Sequence, residues 1–185
     1  MFLITELVVL LGTNLILTQA LGISTLFIAA GSKKNLLWTA ITISVFTTLG
    51  SFGACLIETL LPDNLYNLRL LLYILVIGAI YVILLTVLYF ADRKNFGTTR
   101  KYVHVSAFNC AVMGTLFTVS EKSADSIVTY VLAGAEAGTG FILAAFILTA
   151  AYRRLCAKEV PASFRGFPAM LVYLGIISMA VYALF

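Results

Sequence analysis

The sequence predicts an all-α polytopic membrane protein with six transmembrane helices. Of its 185 residues, 62% are hydrophobic and 11% are charged, whereas a soluble domain carries about 25% charged residues. Six apolar segments are each long enough, at about 20 residues, to cross a hydrocarbon core ~30 Å thick. They cover residues 7–30, 36–57, 70–91, 102–120, 126–152 and 167–185. A closed barrel would show strands of ~10 residues with alternating polarity, which this sequence lacks, so we expect helices.

The distribution of basic residues predicts how the helices are oriented. Ten of the twelve Lys and Arg residues lie in the connections after the first, third and fifth segments, and two lie in the other connections. The positive-inside rule places the ten in the cytoplasm. Both termini are therefore expected on the periplasmic side, with a bacterial inner membrane as the simplest setting. The net charge of +4 follows from this topology, and the sequence gives no sign of a nucleic-acid partner.

Two asparagines suggest that the chain contains an internal repeat. Asn14 lies in GTNLILTQALG and Asn109 in FNCAVMG, three segments further on. Because three spans reverse the direction of the chain, such a duplication is an inverted 3+3 repeat, and repeats of this kind often build a midplane site from discontinuous helices. We therefore expect a single transmembrane domain, 1–185, with halves of about 1–95 and 96–185 and with interrupted first and fourth helices.

A few polar and small residues within the spans are candidates for a functional site. Gly22, in LGIST, permits a break in the first span, and Asn109 can satisfy backbone groups freed at a second break. Cys110 could then point into a cavity as a thiolate ligand. The alternative is that Cys110 is a small apolar side chain at a helix interface and that Asn14 bonds two helices together.

Glu136 is the acidic residue placed deepest in a predicted span, in LAGAEAGTG. An ionisable residue in a span is by default a functional candidate, so Glu136 is a candidate ion relay. The alternative is a solvated or structural role near the outer end of its helix. His104 follows Arg100 and Lys101 and is expected at the membrane interface. No hydrolase triad, phosphate loop, haem motif or nucleotide fingerprint is present in the sequence, so the chain alone is not expected to be an enzyme.

Six blocks of the sequence resemble one known family in their order and spacing. They are TNLILTQALGIS, GSKKNLLWTAI, LRLLLYILVIGAIYV, FNCAVMG, AGTGFILAAFILTAAYRRL and VPASFRGFPAMLVYLGIISMA. The chain resembles the Rnf/Nqr integral-membrane subunits over almost its whole length, and within them it is most similar to the A-type protein of Rnf and the E-type protein of Nqr. The NCAVMG and VPASFRG blocks are the most specific parts of this resemblance.

The resemblance implies a fold, a cofactor and partners. It implies six spans in an inverted repeat, with spans one and four discontinuous and supported by Asn14, Gly22, Asn109 and Gly114. Each of two homologous subunits of opposite orientation, of the A and E types, donates one cysteine from span one and one from span four. Together they hold a 2Fe–2S cluster within the membrane, and the other Rnf-type subunits do the nicotinamide and flavin chemistry.

The chain departs from the family pattern at one ligand position. Cys110 matches the cysteine of span four, but the Leu-Gly-Leu-Cys-Pro motif of span one reads Leu-Gly-Ile-Ser-Thr here, so that Ser24 stands at the cysteine position. Iron–sulfur clusters are normally held by four thiolates, and a serine hydroxyl is a harder ligand that loses its proton far less readily. Three outcomes are open: the cluster persists with three cysteines and Ser24, the cluster is lost, or this chain is a divergent paralogue with another partner.

The resemblance thus implies a membrane subunit of an Rnf-type complex that couples electron transfer to translocation of Na⁺ or H⁺. The complex is a ferredoxin- or NADH-linked oxidoreductase, in which this chain helps carry electrons across the membrane. The alternatives are a small inverted-repeat ion or solute transporter, in which Glu136 is a working group, and a cluster-free scaffold protein embedded in membrane lipid.

Overall fold

The computed structural model describes residues 12, 14–29, 33–61, 68–91, 93, 96–121 and 126–183, and within these ranges the chain is helical with no β-strand. The helices are α1 (Leu15–Gln19), α2 (Ile23–Ala29), α3 (Lys33–Leu60), α4 (Arg69–Ala91), α5 (Phe96–Ala107), α6 (Cys110–Glu121), α7 (Ile127–Leu155) and α8 (Phe167–Tyr182). Backbone groups can pair within each helix, as a membrane interior requires. The all-helical prediction is confirmed for this part of the chain.

Three of these helices are long and apolar enough to cross a membrane: α3, α4 and α7. Together, α5 and α6 qualify as a fourth span that is bent by 46° at its break, and α8 is apolar but shorter. Part of the first predicted span, residues 7–11, 13 and 30, lies outside the described residues. The structure therefore contains three or four candidate spans in its described part, and the six-span inverted repeat stays a prediction.

The most extensive helix pairing in the described structure is between α3 and α7. Gly134 and Gly138 lie directly on α3: an added Cβ at Gly134 would be 2.7 Å from the carbonyl oxygen of Thr47, and one at Gly138 would be 2.7 Å from Cα of Ser44. Small residues let helix backbones approach closely in membranes, where van der Waals packing replaces the hydrophobic drive. The two glycines thus bring α7 against the centre of the bundle.

Most of α4 is exposed at the surface of the described structure, and only Tyr73 and Ile77 of this helix are buried. Leu75, Val82 and Ile83 are all more than half exposed. A surface of this kind is unfavourable in water but matches lipid tails, which are as apolar as leucine. The side of the bundle formed by α4 is therefore expected to face lipid or another membrane protein.

A polar cluster lies where α3 ends and α4 begins. Arg69 forms an ion pair with Glu58, and the Tyr73 hydroxyl donates a hydrogen bond of 2.5 Å to the same carboxylate. Glu58 lies one residue beyond the predicted second span, 36–57, but still inside α3. The pairing satisfies a carboxylate that would be costly to bury alone.

The packing of α7 on α3 predicts that Gly138→Ala is destabilising. Its Cβ would meet the backbone of Ser44, which no side-chain rotation can relieve, so we expect a loss of about 1–3 kcal/mol in the free energy of unfolding. The measurement is reversible unfolding in mixed detergent micelles. Gly78→Ala is the matched control because an added Cβ at Gly78 meets nothing within 4 Å; equal costs for the two variants would contradict this account of the interface.

Candidate functional site: the meeting of two helix breaks

The first break separates α1 from α2. Asn14, which is 2% exposed, caps α1: its Oδ1 accepts a hydrogen bond of 3.0 Å from the Ile16 amide. Its Nδ2 donates a bond of 2.6 Å to the Gly140 carbonyl on α7. The helix ends with Ala20 and Gly22 in left-handed conformations, with φ of 58° and 81°, a conformation that commonly ends helices. One asparagine thus starts α1 and ties it to α7.

The second break separates α5 from α6 and is built in a similar way. Asn109, which is 3% exposed, accepts a hydrogen bond of 3.0 Å from the Ala111 amide at its Oδ1. Its backbone carbonyl accepts from Val112 and Met113, so Asn109 occupies the N-cap position before Cys110. Unlike the amide of Asn14, its Nδ2 is buried and has no hydrogen-bond partner among the described residues.

The two breaks touch each other through a cysteine. The Gly22 amide donates a hydrogen bond to Sγ of Cys110, with an N···S distance of 3.0 Å. An added Cβ at Gly22 would lie 2.9 Å from Cβ of Ala111 and 2.8 Å from the ring of Phe141. Two separate reasons favour glycine at this position: its φ is positive, and there is no room for a side chain.

A second glycine allows the same approach from the other side. An added Cβ at Gly114 would collide with the side chain of Leu21, so the first turns of α6 lie directly against the end of the first break. Gly22 lies in the first break and Asn109 in the second, whereas Asn14 caps the start of α1 and Gly114 lies within α6. What they do for a cofactor or an ion remains a proposal.

Cys110 and Ser24 are the two candidate ligands of the site. Both are exposed, and Ser24 follows two residues after the glycine that contacts the Cys110 sulfur. The other cysteines lie elsewhere: Cys55 is buried against Val119 and Tyr130, and Cys156 caps the end of α7. Within the described ranges no group of three or more His, Cys, Asp or Glu residues could hold a metal ion.

This donor set fits a cluster that is shared with another chain. The Cys110 sulfur already accepts a backbone N–H, and hydrogen bonds to cluster sulfurs are among the factors that set the reduction potential of iron–sulfur sites. The side chain is also exposed, so ligands from a second protein can reach it. Ser24 offers an oxygen instead of a sulfur, and a complete cluster needs further ligands from outside this set.

Glu136 lies one helical turn before Gly140, the residue that Asn14 contacts. It is the tenth residue of α7, which begins at Ile127, so about 14 Å of helix precede it. Its side chain is exposed, and it lines a small cavity of about 30 Å³ together with Thr115 and Thr118. The position is well inside the long helix and not at its outer end.

Sequence reasoning missed the partners that hold the first break. Gly140 accepts the Asn14 amide, and the ring of Phe141 covers Gly22. A signal was present, since the glycines of LAGAEAGTG indicate that α7 packs tightly, with Gly134 and Gly138 on one face and Gly140 about half a turn away. That signal does not say which helix packs there, because the contact partner lies more than 100 residues away.

Long apolar helices and two interrupted helix pairs that meet through a cysteine are features of a polytopic membrane protein. The family model described as "Rnf-Nqr subunit, membrane protein" matches residues 4–185. The chain belongs to this family and is a membrane protein, as the resemblance predicted.

Curated relatives share this similarity over most of their length, and three of them are named as A-type members of an "Ion-translocating oxidoreductase complex". The chain is 27% identical over 169 residues to the relative from Glaesserella parasuis serovar 5, covering 90% of this chain and 87% of that protein. It is 28% identical over 181 residues to the one from Aeromonas hydrophila, covering 94% and 93%. The relative from Shigella boydii serotype 4 is 28% identical over 173 residues, covering 92% and 89%.

The different bonding of the two cap asparagines predicts different costs for the same substitution. Serine keeps a cap acceptor but cannot donate to Gly140, so Asn14→Ser should lower the free energy of unfolding by about 1–3 kcal/mol. Asn109→Ser removes an amide nitrogen that has no partner among the described residues and should cost less than half as much. Both are measured by unfolding in detergent micelles, and a larger cost at Asn109 would refute the assignment.

Proposed function

We propose that this chain is a membrane subunit of an ion-translocating electron-transport complex of the Rnf type and helps carry electrons across the membrane. Membership of the Rnf-Nqr family supports the class, and relatives that match most of the chain are named as A-type members of an ion-translocating oxidoreductase complex. The observation that carries the proposal is the contact between Gly22 and Cys110. It holds an exposed thiol at the meeting of two helix breaks, where a shared cofactor can reach it.

In this proposal Cys110 and Ser24 hold one side of a 2Fe–2S cluster, and a homologous protein of the E type and opposite orientation holds the other. When bound, the cluster supplies one-electron transfer within the membrane. The Gly22 amide donates its hydrogen to the Cys110 sulfur and so stabilises negative charge there. Asn109 starts the helix that presents Cys110, and Gly114 leaves room for the first break to approach.

Ser24 makes this site different from one built of four thiolates. Its hydroxyl has to lose a proton to bind iron as an alkoxide, which is less favourable than for a thiol. We therefore expect weaker retention of iron here than at a site with a cysteine in the same position. The transported ion in this proposal is Na⁺ or H⁺, and the electron donors and acceptors are bound by the other subunits.

The ligand role of Cys110 is tested on the complex purified with its partner subunits. Cys110→Ser should reduce bound iron and the EPR signal of the reduced complex at this site more than tenfold, because it replaces the one thiolate that this chain contributes. Cys156→Ser is the control, since Cys156 lies at the end of α7, and it should leave both quantities unchanged. Iron and signal that survive Cys110→Ser would exclude Cys110 as a ligand.

The converse substitution tests Ser24 separately. Ser24→Cys restores a thiol and should raise the iron occupancy of the purified complex and alter the EPR spectrum. Ser24→Ala, which removes the oxygen, should lower the occupancy. If neither substitution changes iron content or spectrum, Ser24 does not occupy a ligand position.

A second candidate function concerns Glu136 as an ion relay, in a transporter without a redox centre or within the same complex. The observation that favours it is an exposed carboxylate far inside a long apolar helix, next to a small cavity with two threonines. A carboxylate at such depth is expensive and is typical of ion and proton pathways. Hydroxyl and carboxylate oxygens also suit a small cation.

Glu136→Gln separates ion movement from electron transfer. The substitution keeps the shape of the side chain and removes its charge, so ion uptake into proteoliposomes should fall at least tenfold. The rate of electron transfer should stay unchanged when it is measured with an ionophore that dissipates the ion gradient. Thr139→Ser, three residues along the same helix, is the control. Unchanged ion uptake in Glu136→Gln would eliminate the relay.

A further inference from the structure

A depression on α5 is bordered by basic side chains. It has a volume of about 280 Å³ and is lined by Phe96, Gly97, Arg100, Lys101 and His104. These positions recur at intervals of three and four residues, which places them on one face of the helix. We refer to this feature, defined by these five residues, as the α5 depression.

Two residues that line the α5 depression, Phe96 and His104, contact aromatic side chains of α4. The rings of Tyr89 and Phe96 meet edge to face with centroids 5.5 Å apart. The Tyr81 hydroxyl is hydrogen-bonded to Nδ1 of His104 at 2.7 Å. An added Cβ at Gly97 would meet nothing within 4 Å, so the glycine leaves an opening that a side chain would fill.

The charges around this opening are of one sign. Arg100 and Lys101 are both exposed, and none of the lining residues is acidic. In the sequence, residues 92–101 contain four basic residues and one acid. The opening also lies at the start of a twelve-residue helix, where the helix dipole favours anions. The basic side chains and the helix dipole therefore both favour a bound anion.

The position of the α5 depression indicates which anion it meets. Residues 92–101 form one of the connections that the positive-inside rule assigns to the cytoplasmic face, so the opening is expected at the level of the cytoplasmic headgroups. Phe96 and the apolar surface of α4 provide contact area for glycerol and acyl groups. Basic depressions of this kind next to transmembrane helices suit anionic lipid headgroups.

We propose that the α5 depression is a binding site for the phosphate of an anionic phospholipid of the cytoplasmic leaflet. Arg100 and Lys101 donate to the phosphate oxygens, and Gly97 provides the space in which the phosphate lies. His104 borders the site, with Nδ1 engaged by Tyr81 and the other ring nitrogen directed away from that bond. The site is independent of Cys110 and of the function proposed above.

The experiment is a lipid titration of the full-length protein in detergent, followed by native mass spectrometry. The probes are phosphatidylglycerol, phosphatidylcholine and inorganic phosphate. Removing one charge in the site, in Arg100→Gln or Lys101→Gln, should weaken retention of phosphatidylglycerol about fivefold. The unchanged protein should retain phosphatidylcholine more weakly than phosphatidylglycerol. The two charge variants should retain phosphatidylcholine as well as the unchanged protein does.

Two further variants separate a defined site from general attraction to an anionic membrane. Gly97→Leu keeps every charge but fills the opening, and it should weaken phosphatidylglycerol binding at least fivefold. Arg153→Gln removes an exposed charge at the end of α7, and it should change binding less than twofold. Equal effects of Arg100→Gln and Arg153→Gln, or no effect of Gly97→Leu, would overturn the proposal.

Competition with inorganic phosphate distinguishes a lipid phosphate from a free phosphate as the bound anion. Millimolar phosphate should not displace bound phosphatidylglycerol, because the lipid also contacts Phe96 and the surface of α4. Displacement at that concentration, with no preference for the lipid, would make the site one for soluble phosphate and overturn the lipid assignment. Melting temperatures of the variants within a few degrees of the unchanged protein confirm that each variant is folded.

Discussion

The whole arrangement depends on the need to satisfy backbone polar groups where a helix is interrupted inside a membrane. In lipid no water is available to bond them, and each unsatisfied group costs several kcal/mol. The chain meets this requirement twice with the same device, an asparagine whose Oδ1 accepts from the amide two residues further on. The caps begin α1 and α6, and Cys110, the first residue of α6, contacts Gly22.

The glycines of α7 and α6 connect the capped helices to the rest of the bundle. Gly140 presents its carbonyl to Asn14, while Gly138, half a turn away, lies on Ser44 of α3. One helix therefore positions the first break and the central pair of helices together. Gly114 likewise lets α6 approach the first break, because an added Cβ there would collide with the Leu21 side chain. Shape, more than charge, determines where the exposed thiol of Cys110 is held.

The sequence predicted the parts of this structure that depend on local composition. Apolar length located α3, α4 and α7 to within a few residues, and the LGIST motif located the first break. The start of the fourth span was predicted at residue 102, but α5 begins at Phe96, because its first turns are polar and give no hydropathy signal. The bond to Gly140, the ion pair of Glu58 with Arg69 and the orphaned amide of Asn109 depend on distant contacts, which no local pattern contains.

The large sequence separations of the contacts at the first break have a consequence for biogenesis. Asn14 bonds a carbonyl 126 residues further along the chain, and the Ser178 hydroxyl donates to the Leu17 carbonyl across 161 residues. While the ribosome is still synthesising α3 and α4, the beginning of the chain has neither partner. These contacts of α1 can therefore form only after α7 and α8 have been synthesised, although α1 itself is made before them.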